Sequence, residues 1–364
     1  MIIRCPAGRS GDCNFSEVHA DGMRLMRKYL LVSFFLFVCG CCRPIEQDYN
    51  LALKDKAFLE ILEELDILLI APSSGIPKQE LDTLKSLLGN RVRFLPDEHY
   101  DTCRQSATKL DEIIKAINSA KILWAVRGGY GATKLASVLS KKYKSAQFPK
   151  IILVGYSDIT ALHIFMKERL FCVHAPMARE LLFKEYDVAG FKMLADVLSG
   201  RIKCIKIDLR PLNESAKAAS EISGLLIGGN LSLVESSIGT DWQAECKGKI
   251  VFLEDVGCNK GQAMRTLTHL LDSGILDKAK TVIFGSFSKD GNAEFLPIFK
   301  DFADTFGRPV FLTDKFGHGH CNYPIGYGVN GCVKRYNGTS NAFMLYVDFS
   351  ETPIFKKKPP CKKS

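Results

Sequence analysis

Short apolar runs alternate with amphipathic runs through this chain beyond residue 64. Runs such as "LDILLI", "KILWAV" and "KIILVG" have the length of strands, and segments with helical periodicity, such as "PKQELDTLKSLLG", lie between them. Strands that are apolar on both faces are typical of a parallel sheet covered by helices on each side. The pattern therefore predicts an α/β fold whose N-terminal part contains a parallel sheet.

The alternation weakens in a polar stretch that contains "IDLRPLNESAKAASE" and then resumes. We therefore expect an N-terminal domain over residues 64–180, a connecting segment over 181–222, a second domain over 223–350 and a basic tail over 351–364. The second domain is predicted to be α/β with a β-rich end, where Gly-rich turns separate short apolar runs. Because sites tend to lie at domain interfaces, we expect an active site in the cleft between the two domains.

The net charge of +9 does not indicate a nucleic-acid partner, because it is concentrated at the ends of the chain. Residues 1–48 contribute +1, the five lysines from Lys356 onward contribute +5, and the remainder carries only +3. A nearly balanced body of this kind lacks the basic surface that nucleic acid requires. The lysine-rich tail is interpreted as a solvated end, with contact to an anionic surface as the alternative.

Residues 1–48 are interpreted as a signal-like or disordered extension. From Met23, a short basic region precedes an apolar run that ends near Cys42; this resembles a secretory signal and is too short to predict a membrane span. The end of the run resembles a bacterial lipoprotein processing box, in which Cys41 would be acylated. By contrast, the cysteines from Cys103 onward form no CxxC pair and lie mostly in apolar stretches, as is typical of a reducing compartment. Membrane attachment or export therefore stands beside a cytoplasmic location as an open alternative.

The segment "LVGYSDITALH" places Ser157 between an apolar strand and a predicted helix. A serine at such a sharp turn exposes its hydroxyl above the sheet, and the next backbone N–H, that of Asp158, can face a developing oxyanion. The general nucleophile-elbow motif has glycine two residues to either side of the serine; Gly155 satisfies it and Ile159 does not. The alternative interpretation is that Ser157 only caps the helix.

The segment "VRGGYGATK" follows another strand and opens a helix with three glycines. Its backbone N–H groups are free to face an anion, which is compatible with a phosphate loop, an oxyanion-hole donor or a plain tight turn. The spacing lacks both GxGxxG and the Lys-Ser/Thr pair of a P-loop. Ser73 and Ser74 in "APSSG" also follow a strand and are interpreted as cleft-lining or turn residues.

Carboxylates and histidines that could act with Ser157 occur later in the chain. Glu254 and Asp255 end the apolar strand "VFLEDV", where a carboxylate needs a partner, and His318 and His320 lie in the Gly-rich stretch "KFGHGHCNYPIG". Two histidines in HxH can ligate a metal, but no further ligands at suitable spacing accompany them, so we favour a general base and expect no metal. A serine, an acid and a histidine in this order are compatible with a catalytic triad.

Together these segments resemble the serine LD-carboxypeptidases, the family of muramoyl-tetrapeptide carboxypeptidases that includes the microcin-C self-immunity peptidases. The resemblance covers residues 65–349 and rests on "APSSG", "RGGYGA", "GYSDITALH", "GGNLSL", "FLEDV" and "FGHG" followed by "PIG", in the family's order. It implies a Rossmann-like nucleophile domain followed by a domain that supplies the acid and the histidine. The implied roles are Ser157 as nucleophile, Glu254 as the acid that orients the base, His318 as the general base, and the backbone N–H groups of Gly129 and Asp158 as the oxyanion hole.

The resemblance further implies a peptidase that releases a terminal D-amino acid, usually D-alanine, from murein tetrapeptides and needs no metal or organic cofactor. Its partner would be a small muropeptide, with Arg127, Tyr130 and Arg265 as candidate substrate-binding residues, and family members commonly work in the cytoplasm. A homodimer is an open expectation. Two alternatives remain: an immunity-type peptidase that cleaves aminoacyl-nucleotide amides with the same three residues, and a non-catalytic module that binds a nucleotide or a wall fragment.

Overall fold

The computed structural model of this chain describes residues 49–101, 106–143, 148–336 and 341–351. The signal-like segment over residues 23–42 and nearly all of the basic tail lie outside the described residues. Of the helices within those ranges, none combines the length and the apolar composition needed to cross a bilayer.

The N-terminal half forms a parallel sheet from short, mostly apolar strands. The strands are β1 (Ile67–Ile70), β2 (Arg93–Phe94), β3 (Ile122–Ala125), β4 (Ile152–Gly155) and β5 (Phe171–His174). They lie side by side in the order β2-β1-β3-β4-β5. The helices of this half are α1 (Lys56–Glu64), α2 (Lys78–Leu88), α3 (Ser106–Ile117), α4 (Ala132–Lys142), α5 (Thr160–Met166) and α6 (Val188–Leu198). Short 3₁₀ helices span Leu51–Lys54, Gly89–Arg91, Asp97–Tyr100, Ser157–Ile159 and Ala178–Leu182.

Helices cover both faces of this sheet because successive residues of a strand point in opposite directions. Leu69 and Trp124 belong to a buried cluster with α1, α2 and α6. Leu68 and Leu123 point the other way and belong to a second cluster with α3, α4 and α5. Burial on both faces is the reason that these strands are apolar without interruption, and the predicted α/β architecture is confirmed.

The C-terminal half forms a closed barrel flanked by helices. Its strands are β6 (Cys204–Pro211), β7 (Glu221–Asn230), β8 (Ile250–Glu254), β9 (Thr281–Ser286), β10 (Val310–Gly317), β12 (Asn330–Arg335) and β13 (Phe343–Asp348), and the short β11 (Ile325–Gly326) lies between β10 and β12 in the chain. The order around the barrel is β10-β6-β13-β12-β7-β8-β9. Strands β7 to β10 are mutually parallel, whereas β6, β12 and β13 pair antiparallel with their neighbours. The helices are α7 (Glu214–Ala218), α8 (Leu231–Ser236), α9 (Lys260–Asp272) and α10 (Leu296–Phe306).

Residues 181–222 were expected to form a connecting segment. In the structure they contain α6, α7 and the barrel strand β6. In β6 the residues Ile205, Ile207 and Leu209 are buried, and the polar residues between them are exposed. A strand with one solvated face alternates in this way and has a low mean hydropathy. Polarity alone therefore misassigned a strand that the period-2 pattern would have identified.

Contacts between the barrel and the parallel sheet include a strand pairing and a hydrogen bond at the end of β7. Strand β11 pairs antiparallel with β5 and extends the N-terminal sheet by one edge strand. At the end of β7, the N–H of Asn230 donates to Oγ1 of Thr160 at 3.0 Å, in the first turn of α5. A Cβ on the preceding Gly229 would lie 2.6 Å from the same hydroxyl oxygen, so this approach requires glycine. The ends of β4, β8 and β10 are thereby held on the same side of the molecule.

Candidate active site

Ser157 occupies a strained turn between β4 and α5. Its φ angle is 60°, and no other non-glycine residue in the described part of the chain has a positive φ. Ser157 is partly exposed although the residues on either side of it are buried. A Cβ on Gly155 would lie 3.0 Å from Cβ of Ala125 and 3.0 Å from Cγ1 of Ile159, so a larger residue there would require these side chains to shift. Strain of this kind, held by packing, is typical of a functional serine.

Helix capping does not account for Ser157. The residue before α5 is Ile159, and no side chain of the described residues caps that helix. Nor does the short 3₁₀ turn that begins at Ser157 have a side-chain cap. The alternative interpretation of this serine as a structural cap is therefore not supported.

The glycine pair between β3 and α4 lies directly against Ser157. A Cβ on Gly128 would be 2.8 Å from both Cβ and Oγ of Ser157 and 3.4 Å from the backbone nitrogen of Asp158. Gly129 has a φ of 116°, and a Cβ there would lie 2.3 Å from Oγ of Ser74. A side chain is excluded at Gly128 by the Ser157 turn and at Gly129 by Ser74, so both positions require glycine. The backbone of this loop is therefore next to the site where a carbonyl attacked by Ser157 would lie.

The side chain of Asp158 connects three loops around the serine. Its Oδ2 accepts hydrogen bonds from Oγ of Ser73 at 2.6 Å and from the N–H of Ala132 at 2.8 Å. Burial raises the pKa of Asp158, and the two hydrogen bonds oppose that shift. The sequence predicted only a backbone role for Asp158 and a cleft-lining or turn role for Ser73. Their link depends on the sheet order, which brings loops far apart in the chain together.

His318 and Glu254 form a buried pair at the ends of β10 and β8. Nδ1 of His318 lies 2.5 Å from Oε2 of Glu254, and Glu254 is fully buried. A Cβ on Gly317, whose φ is 99°, would lie 2.6 Å from Cβ of Glu254, so the glycine before the histidine allows the two strands to approach. The N–H of Gly317 donates to Oδ1 of Asn322 at 3.1 Å, which fixes the turn that carries His318.

The electrostatics of this pair favour a basic imidazole. Burial alone would lower the pKa of His318, but the charge of Glu254 and the hydrogen bond to it outweigh burial and raise that pKa above its usual value of 6.5. Burial also raises the pKa of Glu254, and His318 opposes this shift. With Glu254 accepting from Nδ1–H, the other ring nitrogen, Nε2, is left to act as a base.

One cavity of about 270 Å³ brings together most of the site residues expected from the sequence. Ser157 and His318 both line it, and Glu254 lies behind His318. The remaining lining residues are Val126, Arg127, Gly128, Gly129, Tyr130, Tyr156, Met177, Arg179, Glu180, Phe183, Tyr186 and Val256. Arg127, Gly129 and Tyr130 line this cavity. Arg265 is exposed on α9 and does not line it.

The two histidines of the HxH stretch, His318 and His320, have different hydrogen-bond partners. Nδ1 of His320 bonds the carbonyl oxygen of Glu185 at 2.8 Å, whereas His318 faces Glu254. Within the described ranges, no group of three His, Cys, Asp or Glu residues is arranged to hold a metal ion.

Two cavity residues, Tyr156 and Glu180, were not identified from the sequence. The Tyr156 ring lies against His318, with ring centroids 4.7 Å apart, and the Glu180 side chain is buried. Both follow a parallel strand, β4 and β5 respectively, and the ends of such strands commonly carry site residues. That position is a signal that could have identified them.

The chain matches two family models and several known proteins. The LD-carboxypeptidase N-terminal domain model matches residues 67–175, and the C-terminal domain model matches residues 223–333. A protein of Rickettsia conorii named as a carboxypeptidase is 38% identical over 289 residues, covering 75% of this chain and 89% of the relative.

Solved structures show the same fold. A muramoyltetrapeptide carboxypeptidase from Oxalobacter formigenes aligns with a TM-score of 0.63 at 22% identity, over 78% of this chain and 98% of its own. An MccF-like protein from Streptococcus pneumoniae, solved in complex with AMP, aligns with a TM-score of 0.62 at 16% identity, over 77% and 98%. On the matching domain models and the close sequence relative, this chain belongs to the LD-carboxypeptidase family, the S66 peptidases.

Proposed function

We propose that this protein is a serine LD-carboxypeptidase that removes a terminal D-amino acid, D-alanine in the first instance, from murein tetrapeptides. The observation that supports it best is the strained Ser157 in the same cavity as a His318 that is paired with a buried Glu254. The muramoyltetrapeptide carboxypeptidase among the structural relatives suggests the substrate.

In this mechanism Ser157 is the nucleophile. Nε2 of His318 takes the serine proton as Oγ attacks the carbonyl carbon of the amide between an L-configured centre and the D-residue. The same proton then passes to the leaving amine, the C–N bond breaks, and an acyl-enzyme forms on Ser157. Water activated by His318 hydrolyses the ester and restores the serine. Glu254 fixes the ring orientation and stabilises the imidazolium that exists between these steps.

The negative charge on the oxygen of the tetrahedral intermediate requires hydrogen-bond donors next to Ser157. We assign these to the backbone N–H groups of Gly129 and Asp158, which belong to the two loops that meet at Ser157. The contacts of the Gly128 and Gly129 positions with Ser157 and Ser74, and the anchoring of Asp158 by Ser73 and Ala132, support a rigid arrangement of these loops. Rigid donors are effective because they need no reorganisation during the reaction.

Arg127 is the best candidate for binding the substrate's terminal carboxylate. It lines the cavity, and within the described residues it makes no ion pair. Burial and the nearby charge of Arg179 lower the pKa of Arg127, and the charge of Glu80 partly opposes that shift. Arg179 also lines the cavity, but its guanidinium already makes two hydrogen bonds to Glu80, at 2.5 and 2.7 Å. An arriving carboxylate would therefore pair more readily with Arg127.

A second candidate activity is cleavage of an aminoacyl-nucleotide amide by the same three residues. Tyr130, which is 89% exposed, lines the cavity with Phe183 and Tyr186, and aromatic surfaces of this kind stack on nucleobases. The structural relative that was solved with AMP supports this alternative.

The test compares the parent protein with Ser157→Ala on a murein tetrapeptide ending in D-alanine, on the matched peptide ending in L-alanine, and on an aminoacyl-nucleotide amide. We expect release of D-alanine only from the first peptide, and a loss of at least ~10³-fold in turnover in the variant. Cleavage of the nucleotide amide alone would favour the second activity. Binding of muropeptide without turnover by the parent would indicate a non-catalytic module, and full activity in Ser157→Ala would exclude the serine mechanism.

A further inference from the structure

We propose that His320 is a positioning residue for substrate binding: from the barrel, it fixes the segment that carries Phe183 and Tyr186, two aromatic residues lining the catalytic cavity. These two side chains are called the aromatic wall. The inference rests on the proposed function, because it assumes that the substrate binds in this cavity. It gives a role to the second histidine of the HxH stretch, which the proposed triad does not use.

Two hydrogen bonds connect His320 to the chain on either side of Tyr186. Nδ1 of His320 lies 2.8 Å from the carbonyl oxygen of Glu185, and the N–H of Asp187 donates to the carbonyl oxygen of His320 at 2.8 Å. Because a carbonyl oxygen can only accept, Nδ1 of His320 carries a proton and is the donor of the first bond. The imidazole therefore bonds the backbone directly beside one residue of the aromatic wall.

The same segment is also bonded from its own half of the molecule, by the buried Asn50. Nδ2 of Asn50 donates to the carbonyl oxygens of Tyr186 at 2.8 Å and of Phe183 at 3.3 Å. These two bonds do not involve the barrel and remain when His320 is replaced. Loss of the His320 side chain should therefore loosen the aromatic wall without unfolding the segment.

A second barrel residue, Lys289, contacts the segment through charge. Its Nζ lies 3.2 Å from Oε1 of Glu185 and 4.8 Å from the centroid of the Tyr186 ring. The side chains of Lys289 and Glu185 are 47% and 40% exposed, and an ion pair that must order two long side chains in water contributes little. His320 has only two rotatable side-chain bonds and bonds the backbone itself, so it fixes the segment more effectively.

One short stretch of the barrel thus carries both the proposed base and the support of the aromatic wall. Only Gly319 separates His318, which faces Glu254, from His320, which faces the wall segment. A wall that is ordered before the substrate arrives lowers the entropic cost of binding, whereas proton transfer uses His318 and Glu254. Replacing His320 should therefore weaken binding and leave the chemical step unchanged.

The test measures kcat and KM on the L,D-tetrapeptide for the parent, His320→Ala, His320→Asn and His269→Ala. For His320→Ala we expect KM to rise about three- to tenfold while kcat stays within about twofold of the parent. His320→Asn should restore most of the parental KM, because its amide Nδ2 can donate to the carbonyl of Glu185 from a similar position. His269→Ala is the matched control: that exposed histidine pairs with Glu235 on the barrel side and does not line the cavity, so its kinetics should coincide with those of the parent.

A second readout does not depend on the substrate. Hydrogen exchange of the backbone amides over residues 183–187 should be faster in His320→Ala than in the parent, and His320→Asn should return it toward the parental rate. Unchanged exchange or unchanged KM in a folded His320→Ala protein, or a fall in kcat at constant KM, would overturn this proposal and leave the peptidase assignment intact. Faster exchange in His320→Ala without tetrapeptide hydrolysis by the parent would reject the proposed substrate and retain His320 as the residue that fixes the aromatic wall.

Discussion

Substitutions of two neighbouring carboxylates at the end of β8 should affect catalysis and stability separately. Glu254 and Asp255 are both buried, and both can be replaced by amides of the same shape. Glu254→Gln is expected to abolish most activity and leave the fold as stable as before. Asp255→Asn is expected to lower the stability of the fold and to retain most of the activity.

For Glu254 the magnitude follows from its contact with Nδ1 of His318 at 2.5 Å in a fully buried environment. Removing one charge of a buried pair costs about 3 to 5 kcal/mol when the other remains charged. In the active form of the protein His318 is neutral until it takes the serine proton, so this cost falls on the transition state. It corresponds to a loss of roughly 10² to 10⁴ in kcat. Burial already opposes ionisation of Glu254, as its raised pKa indicates, so the free energy of unfolding at pH 7 should change by less than about 1 kcal/mol.

Asp255 serves a different purpose. It accepts hydrogen bonds from Nδ2 of Asn230 at 2.9 Å, from Oγ and N–H of Ser232 at 2.7 and 3.2 Å, and from the N–H of Val256 at 2.8 Å. An asparagine would turn an NH₂ group toward these donors, and each buried donor left unsatisfied costs about 1 to 3 kcal/mol. We therefore expect Asp255→Asn to lower the free energy of unfolding by roughly 2 to 4 kcal/mol while kcat per folded molecule stays within about tenfold of the parent.

The assay pairs D-alanine release from the tetrapeptide with urea unfolding at pH 7 for both variants. Correcting activity for the folded fraction keeps the two effects apart. If Glu254→Gln retained more than a tenth of the parental kcat, or if it lost as much stability as Asp255→Asn, Glu254 would be a structural residue and the orienting role would be refuted.

Two further substitutions test the geometry of the serine turn. Ser157→Gly should eliminate turnover. It should also raise the free energy of unfolding by about 1 kcal/mol relative to Ser157→Ala, because only glycine adopts a φ of 60° without strain. Equal stabilities of the two variants in urea would show that the turn stores no strain. Gly128→Ala should reduce kcat by roughly 10²-fold, because its Cβ would lie 2.8 Å from Oγ of Ser157 and displace it. Gly261→Ala, in the exposed first turn of α9 where nothing but Oδ1 of Asn259 comes within 4 Å, is the control and should retain full activity.

The sheet could be predicted from the sequence because its strands are buried on both faces. Uninterrupted apolar runs leave little ambiguity, and the helices between them impose parallel order. Strand β6 was missed because only alternate residues such as Ile205 and Ile207 are buried. Closure of the barrel and the pairing of β11 with β5 depend on which strands meet, and residues far apart in the chain carry no local signal of that pairing.

Residues of the candidate site could be predicted where the residue type and the local sequence pattern indicate the same role. Ser157 sits at a strand-to-helix turn, and His318 follows a glycine in a turn-rich stretch, so residue type and context agreed. Arg127 and Arg265 could not be ranked from the sequence, because only the folded chain shows that one lines the cavity and the other is exposed on a helix.

The proposed nucleophile, Ser157, and the proposed base, His318, come from different halves of the chain, so the candidate site depends on how the barrel packs on the sheet. Oδ1 of Asn322 lies 3.1 Å from the N–H of Gly317 and 3.1 Å from Nε2 of His174 at the end of β5. Since this oxygen can only accept, His174 must carry its proton on Nε2, and burial, which lowers its pKa, keeps the ring neutral and in that role. The turn that carries His318 is therefore hydrogen-bonded, through one amide, to a strand of the domain that carries Ser157. The relative position of Ser157 and His318 therefore depends on this buried contact as well as on the two side chains that we propose to be catalytic.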